Sequence, residues 1–388
     1  MLESRLPGLH RLGSQERLSR LVEAGWLQPE EVALFGLECP GTTLENLSEN
    51  VIGRIDLPVG VATNVVVNGV PRLVPMAIEE PSVVAACSNA ARLALAGGGV
   101  RAVAGERLIA AQVLVATDWD EPLVRQFLAG MEPSFIAASN AQHPRLTAAG
   151  GGLRSVKYSA LSNSPQPLGV FELLCHPGDA MGANAVNDFA EHFAATLGSG
   201  FPGQVQGAIV SNHAPGRPAT ATVRIPVSNL GSQSYAGAAV AERIETLSHW
   251  AQVDVMRRAT HVKGILNGLL AVANTLYQDT RALASTLWSH LAHEGGTPVV
   301  TWQCEDETLV GRFSGPLVCG TVGGTGPAMP LTAIFYRWLG VHSAADLEEV
   351  LAAVGLLQNL AALRAIVTEG IQRGHMRLHA RKSEEANG

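Results

Sequence analysis

The chain has 388 residues, 47% of them hydrophobic and 16% charged, which is enough apolar content for a sizeable core and argues against disorder over most of its length. Its 27 basic and 34 acidic residues leave a net charge of −7, with no basic block interleaved with aromatics, so a nucleic-acid partner is disfavoured. The N-terminal MLESRLPGLHRLGSQERLSRL lacks an apolar h-region and no run of about 18 apolar residues follows, so the sequence reads as soluble.

In chain order, the first 35 residues read as short amphipathic helices, with Leu18, Leu21 and Val22 at helical spacing and Pro29 placed to open the next turn. From Val51 to Pro75 the residues turn β-branched, punctuated by Asn68-Gly69, which predicts strands joined by a hairpin. Pro81 then opens a helix with a small apolar face, Val83, Val84, Cys87, Ala90, Ala91 and Ala94, stopped by Gly97-Gly98-Gly99. Residues from about 105 to 225 read as a separate unit, in which LIAAQVLVA, FELLCH, GAIVSN and ATATVRIPV are strand-like and DEPLVRQFLAGM and NAVNDFAEHFAATL are helical. A long helical region around 263 to 292, a Gly-rich strand segment and a helix from about 344 to 373 complete the chain. The middle unit thus reads as inserted into the outer one. The cysteines Cys39, Cys87, Cys175, Cys304 and Cys319 are scattered and never in C-x-x-C spacing, which suggests a reducing cytoplasm and neither a disulfide framework nor a zinc site.

Four stretches carry candidate chemistry. GDAMGANAVN, residues 178 to 187, reads as a turn feeding a helix N-terminus, where small residues let a phosphate approach unpaired N–H groups. A tight turn with a helix-capping Asp179 explains it equally well, and the Rossmann G-x-G-x-x-G is not present. In VPMAIEEPSVVAAC the adjacent Glu79 and Glu80 lie between an apolar strand and an apolar helix, where desolvation would raise a carboxyl towards a useful proton donor. Acids there are also ordinary partners of a helix dipole. In THVKGILNGLLAVANTLYQD, Lys263 and Asn267 share a helix face, whereas Asp279 would be turned roughly to the opposite side of a straight helix of about 3.6 residues per turn. In EGIQRGHMRLHARK, His375 follows a glycine near the C-terminus, as a mobile proton donor or as an ordinary surface histidine.

Together with SRLPGL, ENVIGRIDLPVGVATN and GTVGGTG, these runs in this order resemble the 3-hydroxy-3-methylglutaryl-coenzyme A (HMG-CoA) reductases, particularly their soluble bacterial class. The resemblance implies an α+β fold: a large helical domain with a central helix at 1–105 and 223–370, a small ferredoxin-like nucleotide-binding domain at 106–222, and a short tail at 371–388. It implies reduction of the thioester of HMG-CoA through a hemithioacetal and mevaldehyde to mevalonate and CoA, with two NADPH or NADH and no metal. Residue by residue, it makes Glu80 the catalytic acid, Lys263 the oxyanion stabiliser, Asp279 the group that tunes both, and His375 the proton donor to the CoA thiolate. Ser82, Arg257 and Asn267 would hold the acyl substrate. Arg154, Ser155, Asp179, Ala180, Met181, Gly182 and Asn184 would bind the dinucleotide. The family also implies a homodimer with shared active sites, Glu80 and Asp179 coming from different chains.

Three departures stand out. Where the NADH-using class has an aspartate after Gly-Gly-Gly-x-Arg, this chain reads GGGLRS with Ser155, and a serine flanked by Arg154 and Lys157 does not repel a 2′-phosphate, which predicts that NADPH is accepted. A small histidine-containing segment is replaced by ASTLWSH with the bulky Trp288, and the chain ends soon after His375, leaving little for a C-terminal flap. The same residues also fit the reverse oxidation of mevalonate, a diverged acyl-CoA reductase, or a non-catalytic CoA-binding homologue.

Overall fold

The computed structural model describes every residue except 1, 37–45, 53, 199, 202, 294, 296, 297 and 371–388. The chain opens with α1 (Ser14–Glu23), β1 (Val59–Val67), β2 (Val70–Ala77), α2 (Val83–Ala94), β3 (Val100–Val103) and β4 (Ile109–Ala116). Next come α3 (Glu121–Gln142), α4 (Pro144–Ala148), β5 (Gly152–Ala160), β6 (Leu168–His176), α5 (Ala183–Leu197), β7 (Gln204–Val210) and β8 (Ala219–Pro226). It closes with α6 (Gly237–Val253), α7 (Val255–Thr275), α8 (Thr280–His293), β9 (Val300–Glu305), β10 (Thr308–Gly315), α9 (Thr332–Leu339) and α10 (Ala344–Val367).

Two sheets organise these elements. Six strands in the order β2-β1-β3-β8-β10-β9 form the first, so the larger unit, anticipated as helical, is built on a sheet with α2, α7 and α10 packed around it. The β1–β2 hairpin turns at Asn68 and Gly69, whose φ values of 53° and 78° are the left-handed pair that a two-residue hairpin needs. Strand structure begins only at Val59, not at Val51. Pro58 has no N–H to donate, and Ile52 and Ile55 before it lie fully in solvent. The helix expected at Pro81 likewise starts at Val83, because Ser82 has a left-handed φ of 80°. β8 pairs with β3 and β10 and buries Ala219, Ala221, Val223 and Ile225, so a boundary at 222 falls inside a strand of the larger sheet.

The second sheet has the order β5-β6-β4-β7, all antiparallel, which with α3 and α5 is the βαββαβ arrangement of ferredoxin-like folds. Its own core gathers Val113, Phe171, Phe189 and Phe193. β5 lacks the regular alternation that marks a strand in sequence, because a register shift between Leu153 and Ser155 breaks it. The helical pattern expected to stop near Met131 continues past Pro133, and α3 ends at Gln142.

The helical region at 263–292 is two helices. Tyr277 takes a φ of 53°, α7 stops at Thr275, and Asp279 Oδ1 accepts the N–H groups of Arg281 and Ala282, both at 3.0 Å, to cap α8. The straight-helix placement of Asp279 therefore does not apply. α10 ends at Val367, short of the expected 373, and it is buried on nearly all sides in the larger core. By length and composition α10 could cross a membrane, but 72% of its most apolar window is buried by its neighbours, as in a core helix.

Buried in the α7 layer, His261 sets a pH dependence. Its Nε2 lies 3.0 Å from the Val300 carbonyl and 3.2 Å from the Asn359 amide nitrogen, and its buried Nδ1 has no partner, so protonation would place an unpaired charge in the interior. Burial pushes its pKa down from an ordinary 6.5 to about 4, with the nearby Arg257 acting in the same direction. The folded chain thus binds fewer protons than the unfolded one, and this stability is complete above pH 6.5 and lost as pH falls towards 4. Between pH 7 and pH 5 urea unfolding should show the wild type losing about 2 kcal/mol more than His261→Gln. Equal losses would contradict this assignment.

Candidate active site

The turn from β2 to α2 presents Glu80, and α7 presents Lys263. Lys263 Nζ donates to Glu80 Oε2 at 3.0 Å, joining residues 183 apart in sequence. The two side chains are 60% and 33% exposed, so the pair contributes at most about 1 kcal/mol to stability while remaining open to a ligand. α7 is locked to the same turn by Asn274, whose amide donates to the Ala77 carbonyl at 3.1 Å. Glu79 is exposed and points to no described partner.

On the same two elements, the β2–α2 turn and α7, are polar groups without partners. Ser82 Oγ is buried with no hydrogen bond, on a residue already in the left-handed region, and Arg257 is buried with its Nε unpaired and its guanidinium 5.8 Å from the Trp250 ring. Burial holds the Arg257 pKa below its ordinary value. Such orphaned atoms are the kind that a polar ligand satisfies. Asn267 is half-buried on α7 and makes no hydrogen bond among the described residues. Asp279 does not join Glu80 and Lys263: its carboxylate holds the start of α8 and pairs with Arg281 at 3.3 Å. Burial raises its pKa, but the Ala282 N–H and the Arg281 guanidinium more than offset this, leaving it below the ordinary carboxylate value.

The GDAMG turn lies between β6 and α5. Asp179 does not cap α5; its Oδ1 accepts the Ala344 N–H at 2.9 Å, at the start of α10, and its carbonyl accepts from Thr321 and Val322. The residue before α5 is Gly182, with φ 104° and a position where a Cβ would lie 2.6 Å from Pro177 Cβ. No side chain caps α5, so its first N–H groups remain available to an anion, as a dinucleotide phosphate site requires. Ala180 forms a bridge to Val322, which brings the 178–182 and 320–326 glycine motifs together. Gln278 holds that second motif with a paired contact, its amide donating to the Gly320 carbonyl and accepting the Gly320 N–H, both at 2.9 Å. Met181 is half-buried beside it and Asn184 is exposed on α5.

Arg154 and Ser155 sit on β5 at the register shift; the Arg154 guanidinium donates to the Gly150 carbonyl, and Ser155 is half-buried. Trp288 is 39% exposed on α8. His375 and the tail at 371–388 lie outside the described residues. Sequence reasoning missed Gln278 as a backbone clamp, and it missed Arg107 and Glu348, a buried ion pair at 2.6 Å. For Glu348 a signal existed: it is an acid on an otherwise apolar stripe of α10. Among the described residues no group of three or more His, Cys, Asp or Glu side chains is placed to hold a metal ion.

Comparison with known proteins agrees with this architecture. Residues 14–380 match the family model described as hydroxymethylglutaryl-coenzyme A reductase. The 3-hydroxy-3-methylglutaryl-coenzyme A reductase of Archaeoglobus fulgidus is 38% identical over 382 residues, covering 98% of this chain and 86% of that protein. A class II 3-hydroxy-3-methylglutaryl-CoA reductase from Streptococcus pneumoniae, solved bound to NADPH in open conformations, matches with a TM-score of 0.89 at 32% identity, over 93% of this chain and 99% of that one. Another structure of the reductase from the same organism matches with a TM-score of 0.89, over 97% of this chain and 90% of that one.

Proposed function

Since the chain belongs to the hydroxymethylglutaryl-coenzyme A reductase family, we propose that it reduces HMG-CoA to mevalonate and free CoA with two NAD(P)H, with Glu80 and Lys263 at its chemical centre. The observation that carries this reading is the 3.0 Å contact between those two side chains, which are partly exposed, with the unpartnered Ser82 Oγ two residues along the same turn from Glu80. Lys263 would lie against the thioester oxygen and stabilise the charge that develops there. Glu80 would supply the proton to that oxygen, and His375 the proton to the departing thiolate. Arg257, Ser82 and Asn267 would hold the acyl carboxylate and hydroxyl. Asp279, oriented by the α8 N-terminus, would act on the pair only after substrate or a partner subunit completes the site.

The dinucleotide, when bound, supplies hydride to the acyl carbon twice. We assign its binding to residues 106–218 and that of CoA and the acyl group to 1–105 and 219–370. The uncapped α5 start would take phosphate, with Asp179, Ala180, Met181, Gly182 and Asn184 around it and Arg154 and Ser155 at the ribose. The NADPH bound to the Streptococcus pneumoniae relative supports a cofactor that carries the 2′-phosphate. With Ser155 in place, kcat/KM for NADPH should at least equal that for NADH, and Ser155→Asp should shift the ratio towards NADH by about tenfold or more, because a carboxylate repels the 2′-phosphate and accepts from a free 2′-hydroxyl. An unchanged ratio would place Ser155 away from the ribose.

A homodimer is the assembly we propose, supported by the full exposure of Ile52 and Ile55 and the 70% and 79% exposure of Val255 and Met256. The thiols Cys87, Cys175 and Cys319 are buried and form no disulfide among the described residues, in keeping with a cytoplasmic setting. The deciding experiment mixes purified protein with HMG-CoA and measures cofactor oxidised per CoA released. A ratio of two establishes the full reduction. No oxidation by folded dimer would turn the assignment towards another acyl-CoA or a non-catalytic homologue.

A further inference from the structure

We propose that Arg107 is a positioning residue for the dinucleotide: from a buried site it fixes the peptide units of the Gly178–Met181 turn. The inference rests on reading that turn as the dinucleotide site. Arg107 lies on the connection from β3 to β4, where the chain first passes from the larger sheet to the smaller. Its Nε donates to the Gly178 carbonyl at 3.2 Å, and its Nη2 donates to the carbonyls of Ala180 at 2.9 Å and Cys319 at 3.0 Å. Its Nη1 donates to Glu348 Oε1 at 2.6 Å, and Glu348 Oε2 accepts the Gly105 N–H at 3.1 Å. One planar fork therefore ties two carbonyls of the turn to the segment that follows β10 and leads to Gly320, and to α10.

The side chains of Arg107 and Glu348 are only 9% and 5% exposed, so neither reaches a bound dinucleotide from where it stands. A pair this deeply buried contributes little net stability compared with apolar replacements, which leaves geometry as its distinctive product. With its carbonyls held inward at 178 and 180, the turn cannot rotate those peptide units, and the uncapped N–H groups at the start of α5 keep one arrangement. Glu348 orients the guanidinium. Burial pushes the Glu348 pKa up to about 7 even with Arg107 beside it, a measure of how dry the joint is. A lysine at 107 could keep the charge pair, but its compact ammonium cannot span three carbonyls in a fixed plane.

Arg107→Lys, with the double variant Arg107→Met/Glu348→Gln as a second case that leaves no lone buried charge, tests this. The Kd for NADPH, read by its fluorescence, should rise at least tenfold in both, while KM for HMG-CoA stays within twofold of wild type and the melting transition of Arg107→Lys stays close to wild type. A merely structural role would move both substrates together, and equal rises would overturn the proposal, as would an unchanged NADPH Kd in folded Arg107→Lys. Asn184→Asp separates the two readings. Asn184 is exposed on the first turn of α5 and makes no hydrogen bond among the described residues, and a carboxylate there would repel a phosphate held at the helix start, so an unchanged NADPH Kd overturns the turn as the dinucleotide site, and the inference with it. A raised Kd in Asn184→Asp beside an unchanged one in Arg107→Lys overturns the role of Arg107 alone.

Discussion

Replacing Lys263 with alanine is expected to lower kcat for HMG-CoA reduction by about 10²–10³-fold, the usual loss when one preorganised stabiliser of a developing oxyanion is removed. Lys263 is 60% exposed and its only described partner is Glu80 at 3.0 Å, so the fold gives up at most about 1 kcal/mol with it. Circular dichroism and melting should therefore be close to wild type in a protein whose turnover has fallen by that factor. Lys263→Arg separates charge from shape: it restores the charge but spreads it over a wider planar head, and only part of the rate should return. A kcat for Lys263→Ala within about threefold of wild type would remove Lys263 from the chemistry.

Gly320→Ala should damage the proposed dinucleotide site through a single methyl group. A Cβ there would sit 2.3 Å from the Met181 backbone nitrogen and 2.7 Å from the Ala180 carbonyl carbon. Both obstacles are backbone and cannot step aside as a side-chain tip would, so the two glycine motifs must separate. Overpacking of this kind costs about 1–3 kcal/mol, and because the moving part is the proposed dinucleotide turn, KM for NADPH should rise about tenfold or more. Gly130→Ala is the contrast: nothing lies within 4 Å of the new carbon, on a helix that favours alanine, and it should stabilise by about 0.5–1 kcal/mol. Thermal melts and dinucleotide titrations of the two variants check the pair of expectations. Equal behaviour would mean that the joint at Gly320 yields freely.

Much of this was legible in the residues themselves. Asn68-Gly69 announced its hairpin, because few other dipeptides tolerate two left-handed φ values in succession. The small-residue turn at 178–182 announced a helix start with free N–H groups, and the larger motif set announced the family. What misled were places where local pattern and tertiary demand part. β5 hid behind a register shift, Asp179 turned from the nearer helix to accept the Ala344 N–H at the start of α10, and Asp279 sits at a break that no periodicity within 263–292 reveals.

Taken alone, the sequence determined the α+β class, most of the elements, the family and the candidate residues, since these depend on short-range periodicity, turn chemistry and motif order. The tertiary structure alone decided which candidates meet. Glu80 touches Lys263 because β2 packs against α7, and Asp179, Gly320, Arg107 and Glu348 converge because two sheets share one joint. Spacing along a helix or strand constrains neighbours within a few turns, whereas contacts between residues 183 or 241 positions apart follow from which apolar faces bury one another, and no local pattern encodes that.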